Sequence, residues 1–398
     1  MKILMVNKFL YPKGGSETYV LKLGDILEQK GHEVQYFGMR DDRNTVGNRV
    51  DALAAPMDFH KGIKANLLAP LRIIYNAEAR KQIRRVLEDF QPDVVHLNNI
   101  QFHLTPSIIL ETNAYRKRTG CKVNVVYTAH DYQMICASHG LFDTQLNVCE
   151  KCLDGNYTHC LRTKCVKNSY SKSLLGMIDA YVWRWLPAYN YVDTIICCSR
   201  FLKSKLDTQE RLRSKTVAIH NFTDDKLRYI ADKQGYVLEF GHLSKDKGTL
   251  TLLEVARRMP GTKFVFAGYG AAVEEIENQP NANYEGFKTG GELEILIRQA
   301  AVSVCPSEWY ENCPFSVIES QMYGTPVIGS RMGGIPELIQ EERTGEIFEA
   351  GNPDDLEKKL RSILENPERL QAYTQNCLQA QFETPESYYE KLMGVYTK

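Results

Sequence analysis

Short apolar runs alternate with helical periods along nearly the whole chain, and no other feature narrows the possible folds as far. The runs are Lys2–Asn7, Glu33–Phe37, Asp93–Leu97, Val123–Thr128 and Thr194–Cys198 in the first half. Tyr236–Phe240, Lys263–Ala267, Ala301–Cys305 and Pro326–Ser330 follow in the second. Runs that are apolar at consecutive positions suit strands buried on both faces, as in parallel sheets covered by helices. Between them lie helical stretches, notably Ser16–Lys30 (closed by Gly31), Ala69–Phe90, Thr249–Arg258, Gly291–Gln299 and Phe315–Tyr323. This alternation predicts an α/β protein with parallel sheets. A chain of 398 residues is long for one core and comfortable for two. The polar stretch Asn221–Lys233 marks the boundary, giving domains of 1–221 and 222–384 and a last segment, 385–398, with Tyr388, Tyr389 and Tyr396 at helical spacing.

Composition removes several function classes. Basic and acidic residues balance at 49 each, which argues against a general nucleic-acid binder. No run approaches the apolar length of a membrane span. The opening MKILMVNKFL reads as a first strand and not a signal peptide, so a cytoplasmic protein is expected. Eleven cysteines are then thiols or metal ligands, not a disulfide framework.

The segment Ser307–Ile335, SEWYENCPFSVIESQMYGTPVIGSRMGGI, carries the chemistry. Glu311 and Glu319 stand on either side of seven residues, with Cys313-Pro314 turning the chain into an apolar helix. Gly324-Thr325-Pro326-Val327-Ile328 then turns into a buried strand. A helix starting near Pro314 offers free N–H groups to an anion such as a diphosphate. One carboxylate is left for a sugar and the other for a ribose. The segment resembles the Glu-x7-Glu signature of the family 4 retaining glycosyltransferases, whose GT-B fold has two Rossmann-like domains facing a cleft.

That resemblance covers nearly the whole chain and implies the site. Glu311 would hold sugar hydroxyls and Glu319 the ribose, with Asn312, Cys313, Pro314 and Phe315 lining the donor site. In the family, an Arg and a Lys five apart grip the donor diphosphate on a loop like Gly241–Gly248. Here Lys247 keeps the lysine position, while His242 stands where the arginine is expected and Lys245 is a substitute cation. An unperturbed imidazole is mostly neutral near pH 7 and cannot make arginine's bidentate contact. The nucleobase would meet backbone near Gly286–Lys288, and Gly333-Gly334 is a tight turn near the ligand. In the first domain, Gly14 and Gly15 would face the sugar and diphosphate, with Ser16 read as the cap of the following helix. His130, in Thr128-Ala129-His130-Asp131, would lie nearest the transferred sugar. His96, Asn98, Asn99 and His103 are candidates for the acceptor side. The last helix would cross back to the first domain.

The implied reaction moves a hexosyl or N-acetylhexosaminyl group from a UDP- or GDP-sugar to a saccharide or polyprenyl-linked acceptor, with retention, in polysaccharide or glycan assembly. No Asp-x-Asp motif of metal-dependent transferases occurs, so the chemistry is expected to need no cofactor. Two other readings stay open: a GT-B nucleotide-sugar epimerase, and a non-catalytic assembly protein that binds sugar nucleotides.

Two features lie outside that scheme. An insert over about 136–168 holds Cys149-x2-Cys152-x7-Cys160-x4-Cys165, with Cys136 upstream. Structural zinc, reduced core thiols and a redox-labile pair all suit it. The stretch from Lys61 and Lys64 to Arg85 adds Arg72, Arg80, Lys81 and Arg84, and Trp183 and Trp185 follow later. A basic amphipathic face of that kind would suit peripheral contact with the inner face of a membrane, and ordinary packed helices suit the pattern equally.

Overall fold

The structure, a computed structural model, describes residues 1–57, 69–224 and 231–398. Contacts divide the chain into two compact units. One comprises Met1–Gln145, Cys149–Asn221 and Pro385–Lys398; the other comprises Leu146–Val148 and Phe222–Thr384.

The first unit is built on a sheet of β1 (Lys2–Val6), β2 (Glu33–Phe37), β3 (Val94–Leu97), β4 (Asn124–Ala129), β5 (Thr194–Cys197) and β6 (Thr216–Ala218), in the order β2-β1-β3-β4-β5-β6. Every pairing is parallel. All four residues of β3 and of β5 are buried, as their consecutive apolar positions require. The order reverses between β1 and β3, and the loops leaving those strands flank the reversal.

The second unit repeats the plan with β7 (Val237–His242), β8 (Phe264–Tyr269), β9 (Ala282–Tyr284), β10 (Val302–Cys305), β11 (Val327–Ser330) and β12 (Gly345–Phe348). Its order, β9-β8-β7-β10-β11-β12, is that of a Rossmann sheet, with the reversal between β7 and β10. Val237, Phe264, Phe266, Val302, Ile328 and Phe348 fill one face against Leu252, Leu253, Leu356 and Leu360.

All nine strands read from sequence are present to within two residues at either end. β9 is expected only as a strand ending at Tyr284–Phe287, and β6 and β12 were not read. Each is a sheet-edge strand of three or four residues, too short to carry a pattern. The helix expected over Ala69–Phe90 is two, Ala69–Ile74 and Ala77–Phe90. Asn76 breaks it: its Oδ1 accepts from Ala79 N at 2.9 Å, a helix N-cap bond. The helix Pro385–Tyr396 packs on the helix Gly15–Gln29 and on β4 within the first unit. Tyr388 meets the Tyr19 hydroxyl at 2.6 Å and Tyr396 meets His96 Nδ1 at 2.6 Å.

Candidate functional site

In an open parallel sheet, ligands bind outside the carboxyl ends of the strands where the order reverses. In the second unit the loop after β7 (Leu243–Gly248) and the chain after β10 (Pro306–Pro314) emerge side by side there. Gly248 has φ +78°, and a Cβ on it would lie 2.0 Å from the Pro306 carbonyl oxygen. Only glycine lets the two segments press together. Glu308 N donates to Asp246 O at 2.9 Å across the same seam.

This approach brings Lys247 to Glu311. Lys247 Nζ forms an ion pair with Glu311 Oε1, and both side chains remain about one-fifth exposed (23% and 17%). Trp309 Nε1 donates to the same oxygen at 2.9 Å, and Lys247 Nζ lies 4.2 Å from the Trp309 ring centroid. Glu311 is also held by its backbone. Gly334 N donates to Glu311 O at 2.6 Å, and Gly333, at φ +59°, packs where a Cβ would meet that oxygen at 1.9 Å. The double-glycine turn thus positions an acid as well as ending a strand. Trp309 was not singled out from sequence, although it stands two residues from Glu311 in the same motif.

Glu319 lies in the second turn of the helix Phe315–Met322, half-buried, with Asn312 and Pro314 half-buried before it and Cys313 buried. Lys245 is exposed on the loop. His242, also exposed, meets Tyr269 edge-on at 5.2 Å, and Tyr269 meets Phe287 at 5.6 Å. These rings form an exposed aromatic row along the ends of β7 and β8. The Gly286 carbonyl accepts from Gly268 N at 2.8 Å, so this backbone closes the sheet edge. Beneath the loop, Glu239 is buried, accepts from the Thr249 hydroxyl at 2.8 Å and leaves its Oε2 without a partner. Burial pushes its carboxyl up to about 8, so it is neutral at pH 7.

The reversal in the first unit is of another kind. Asn7 Oδ1 accepts from Asn99 N at 3.0 Å, and Asn99 Nδ2 donates to Ser16 Oγ at 2.8 Å. Ser16 does not cap the helix Gly15–Gln29 as expected. Gly14 takes that position in extended conformation without a side-chain bond, and Ser16 Oγ turns to Glu17 Oε2 at 3.1 Å. Gly14 and Gly15 are exposed at this corner. His130 Nε2 lies 3.0 Å from Asn98 Oδ1; an amide oxygen only accepts, so the ring is protonated at Nε2. Burial, aided by the Lys8 ammonium, lowers this imidazole to about 4.

The acceptor-side expectation needs correction. His96 and Asn98 are fully buried. His96 bridges Tyr396 and the Thr128 hydroxyl (2.6 and 2.7 Å), and burial lowers it to about 3. Asn98 holds His130, and Asn99 holds Ser16. With no exposed surface, His96 and Asn98 reach a ligand only through these partners. His103 is half-buried against the Gln101 carbonyl at 3.0 Å.

A recess beside them was missed. It is lined by Gln101, Gln133, Asp179, Trp183, Tyr189 and Arg211, among others, and its interior has room for about one or two waters. Gln101 Nε2 donates to Asp131 Oδ2 at 2.6 Å, which ties the recess to the residue after His130. Gln101 Oε1, Gln133 Oε1 and Arg211 Nε are buried without partners. Such atoms cost about 1–3 kcal/mol each when unpaired, so this wall is suited to a polar guest. Its residues come from four separate segments, and no sequence spacing links them.

Cys149, Cys152, Cys160 and Cys165, the thiols read as zinc ligands, gather in one region with Cys136. Cys160 and Cys165 Sγ lie 2.7 Å apart, inside the roughly 3.7 Å that two thiolates keep on one tetrahedral zinc. Among the described residues no group of three or more His, Cys, Asp or Glu is arranged to hold a metal ion. Cys152 and Cys160 pack with Ala137 and Tyr157 in a small apolar core. Three cations of the basic stretch are paired: Arg80 and Arg84 both with the buried Glu111 (2.7 and 2.6 Å) and Arg72 with Ala55 O and Glu78. Lys61 and Lys64 lie outside the described residues. Trp183 is buried, whereas Trp185 is exposed. No helix among the described residues is long and apolar enough to cross a membrane.

Comparison with known proteins agrees with this architecture. The pattern described as Glycosyl transferases group 1 matches residues 223–379, and that of Glycosyltransferase Family 4 matches residues 13–227. An "uncharacterized 42.6 kDa protein in cps region" of Klebsiella pneumoniae is 24% identical over 85% of this chain and 87% of its own length. Sulfoquinovosyl transferase of Arabidopsis thaliana is 33% identical over 33% of this chain and 27% of its own. Among solved structures, sucrose-phosphate synthase from Thermosynechococcus elongatus aligns over 100% of this chain and 98% of its own, with TM-score 0.71 at 17% identity. Anabaena HepE in complex with UDP aligns over 100% of both chains, with TM-score 0.70 at 15% identity. Two parallel six-stranded sheets with these likenesses make the fold GT-B. With the acidic pair, the Lys247 loop and a family pattern spanning more than half of its residues, the chain belongs to glycosyltransferase family 4.

Proposed function

We propose that this glycosyltransferase moves a hexosyl or N-acetylhexosaminyl group, with retention, from a UDP- or GDP-sugar to a saccharide or polyprenyl-linked acceptor in cell-surface polysaccharide assembly. The observation that carries the reading is the Lys247–Glu311 pair at the Rossmann reversal. A cation and an anion held together and partly exposed can exchange each other for a ligand carrying both a diphosphate and hydroxyls. Lys247 would then face the leaving diphosphate and Glu311 the sugar. Glu319 is assigned to the ribose and His130 to the transferred sugar by the family resemblance. Catalysis is by orientation and by stabilising charge on the departing diphosphate, without a bound divalent metal. The cps-region relative and the UDP-bound Anabaena protein support the substrate classes. The acceptor saccharide is assigned to the mouth of the recess of Gln101, Gln133 and Arg211, whose unpaired atoms suit a single hydroxyl or water.

A thermal-shift screen of UDP-, GDP- and ADP-sugars tests the donor, because a ligand that binds only the folded state raises its stability. NMR of the product then reads the anomeric configuration, before and after dialysis against chelator. An epimerised nucleotide sugar, or donor binding without transfer to any acceptor, would replace this reading with an epimerase or an assembly protein. Activity lost to chelator and restored only by Mg²⁺ or Mn²⁺ would remove the metal-independent step.

A further inference from the structure

The helix Tyr170–Trp185 buries one face, through Ser173, Gly176 and Trp183. The opposite face is apolar as well. Tyr170, Leu174, Ile178, Tyr181 and Trp185 follow helical spacing and fall within an arc of about 80°. Tyr170 is 61% exposed, Leu174 42%, Ile178 39% and Trp185 74%, with Leu186 beyond them at 43%. Five of the eleven large apolar side chains exposed among the described residues therefore gather on this helix and the residue after it. A soluble surface rarely concentrates them so, and such a patch marks an interaction site.

The charges around the patch identify what it meets. Residues 158–187 contain Arg162, Lys164, Lys167, Lys172 and Arg184 against one acid, Asp179. Asp179 lines the recess on another side of the helix and accepts from Trp183 Nε1 at 3.0 Å. Lys164 Nζ lies 4.2 Å from the Tyr170 ring centroid, so a cation sits at the rim of the stripe. Tyr181 and Trp185 stack at 5.5 Å, which presents a broad aromatic surface. An apolar face with Trp and Tyr and a lysine at its rim, in a segment with five cations and one acid, is the chemistry of an interfacial helix at an anionic bilayer. A protein partner would more often be met by mixed charges. We propose that the outer face of Tyr170–Leu186 seats this enzyme on an anionic lipid surface. This deepens the reading of a polyprenyl-linked acceptor and rests on it for its purpose. It moves membrane contact away from Arg72, Arg80 and Arg84, which are paired internally.

The experiment is flotation with vesicles of phosphatidylcholine, with or without 30% phosphatidylglycerol, on the full chain. Wild type should bind the anionic vesicles, release them as salt rises, and show a blue shift of Trp185 fluorescence. The variant Leu174→Ser/Ile178→Ser/Trp185→Ser should lose at least tenfold in vesicle binding. Lys164→Glu/Lys167→Glu should lose binding to the anionic vesicles only. Ile295→Ser, an exposed residue of the second unit, should change nothing. UDP-sugar binding in the same samples checks the fold, and its absence in wild type would count against the enzymatic reading and not against this one. With donor binding intact, wild type that ignores vesicles, or a triple variant that binds them as well as wild type, overturns the proposal. So does a wild-type dimer that the triple variant converts to monomer, since the face would then belong to a second copy.

Discussion

The two sheet reversals share a plan and differ in chemistry. Between β7 and β10 the chain sets opposite charges together, Lys247 and Glu311, partly open to water. Between β1 and β3, continuing to β4, it sets mainly amides and imidazoles, Asn7, Asn98, Asn99, His96 and His130, with Glu17 buried among them against Asn7 and Ser16. A charge pair that keeps contact with solvent loses little when a charged ligand replaces one partner. A buried network gives up several bonds if any member moves, so it fixes geometry. The first reversal therefore holds its shape while the second is free to exchange partners.

Lys247→Ala tests that contrast most sharply. Removing the cation from the leaving group should lower kcat/KM by about 10²–10³-fold, the size seen when one transition-state donor is lost. Near-normal kinetics would end the assignment of Lys247 to the diphosphate. The acids come next. Glu311→Ala should mainly reduce turnover, and Glu319→Ala should mainly weaken donor affinity by roughly 1.5–3 kcal/mol, the range for a charged hydrogen bond. Identical effects of the two on donor affinity would merge roles kept separate here.

At the other reversal the expected effect is smaller and falls on the acceptor. Gln101→Leu/Gln133→Leu should raise acceptor KM about tenfold, roughly one lost hydrogen bond, with donor affinity unchanged. An unchanged acceptor KM would return the recess to a structural role.

The comparison also predicts opposite pH dependences of stability. His96 and His130 have imidazoles lowered to about 3 and 4, so below about 6.5 the unfolded chain binds protons that the folded chain does not. Their contribution is present above 6.5 and fades as pH falls towards 4. Glu239, raised to about 8, holds a proton in the folded state that the unfolded chain releases above about 4.5. Its effect is to make stability fall as pH rises from 4.5 to 8, by at most about 1.4 kcal/mol per pH unit. Glu239→Gln should raise Tm more at pH 8 than at pH 5, and equal shifts at both would show the carboxyl already ionised. Smallest of all, His242→Ala should weaken donor binding two- to fivefold, about the loss of one weak contact. His242→Arg should keep or improve it. A larger loss than in Lys247→Ala would reverse their ranking.

Most of the second-unit site was legible because its parts lie close in sequence. Glu311, Glu319 and the glycines of Gly333-Gly334 share one segment, and Lys247 follows a recognisable strand. Much of the first-unit site was not. His96 looks like any polar residue at a strand end until Tyr396, from the far end of the chain, is found against it. Gln101, Gln133 and Arg211 carry no shared motif. The basic run ending at Arg85 suggested an open face because Glu111, which takes up two of its arginines, lies a helix away.

Local pattern and spacing, then, determined the alternation of strands and helices, the two parallel sheets and the acidic pair, because burial on both faces and turn chemistry are written within a few neighbouring residues. Only the tertiary structure decided which polar groups stay open to a ligand. Exposure and partnering depend on what distant segments bring to a side chain. Helix packing closed His96 and Asn98, and the glycine seam at Gly248 placed Lys247 against Glu311.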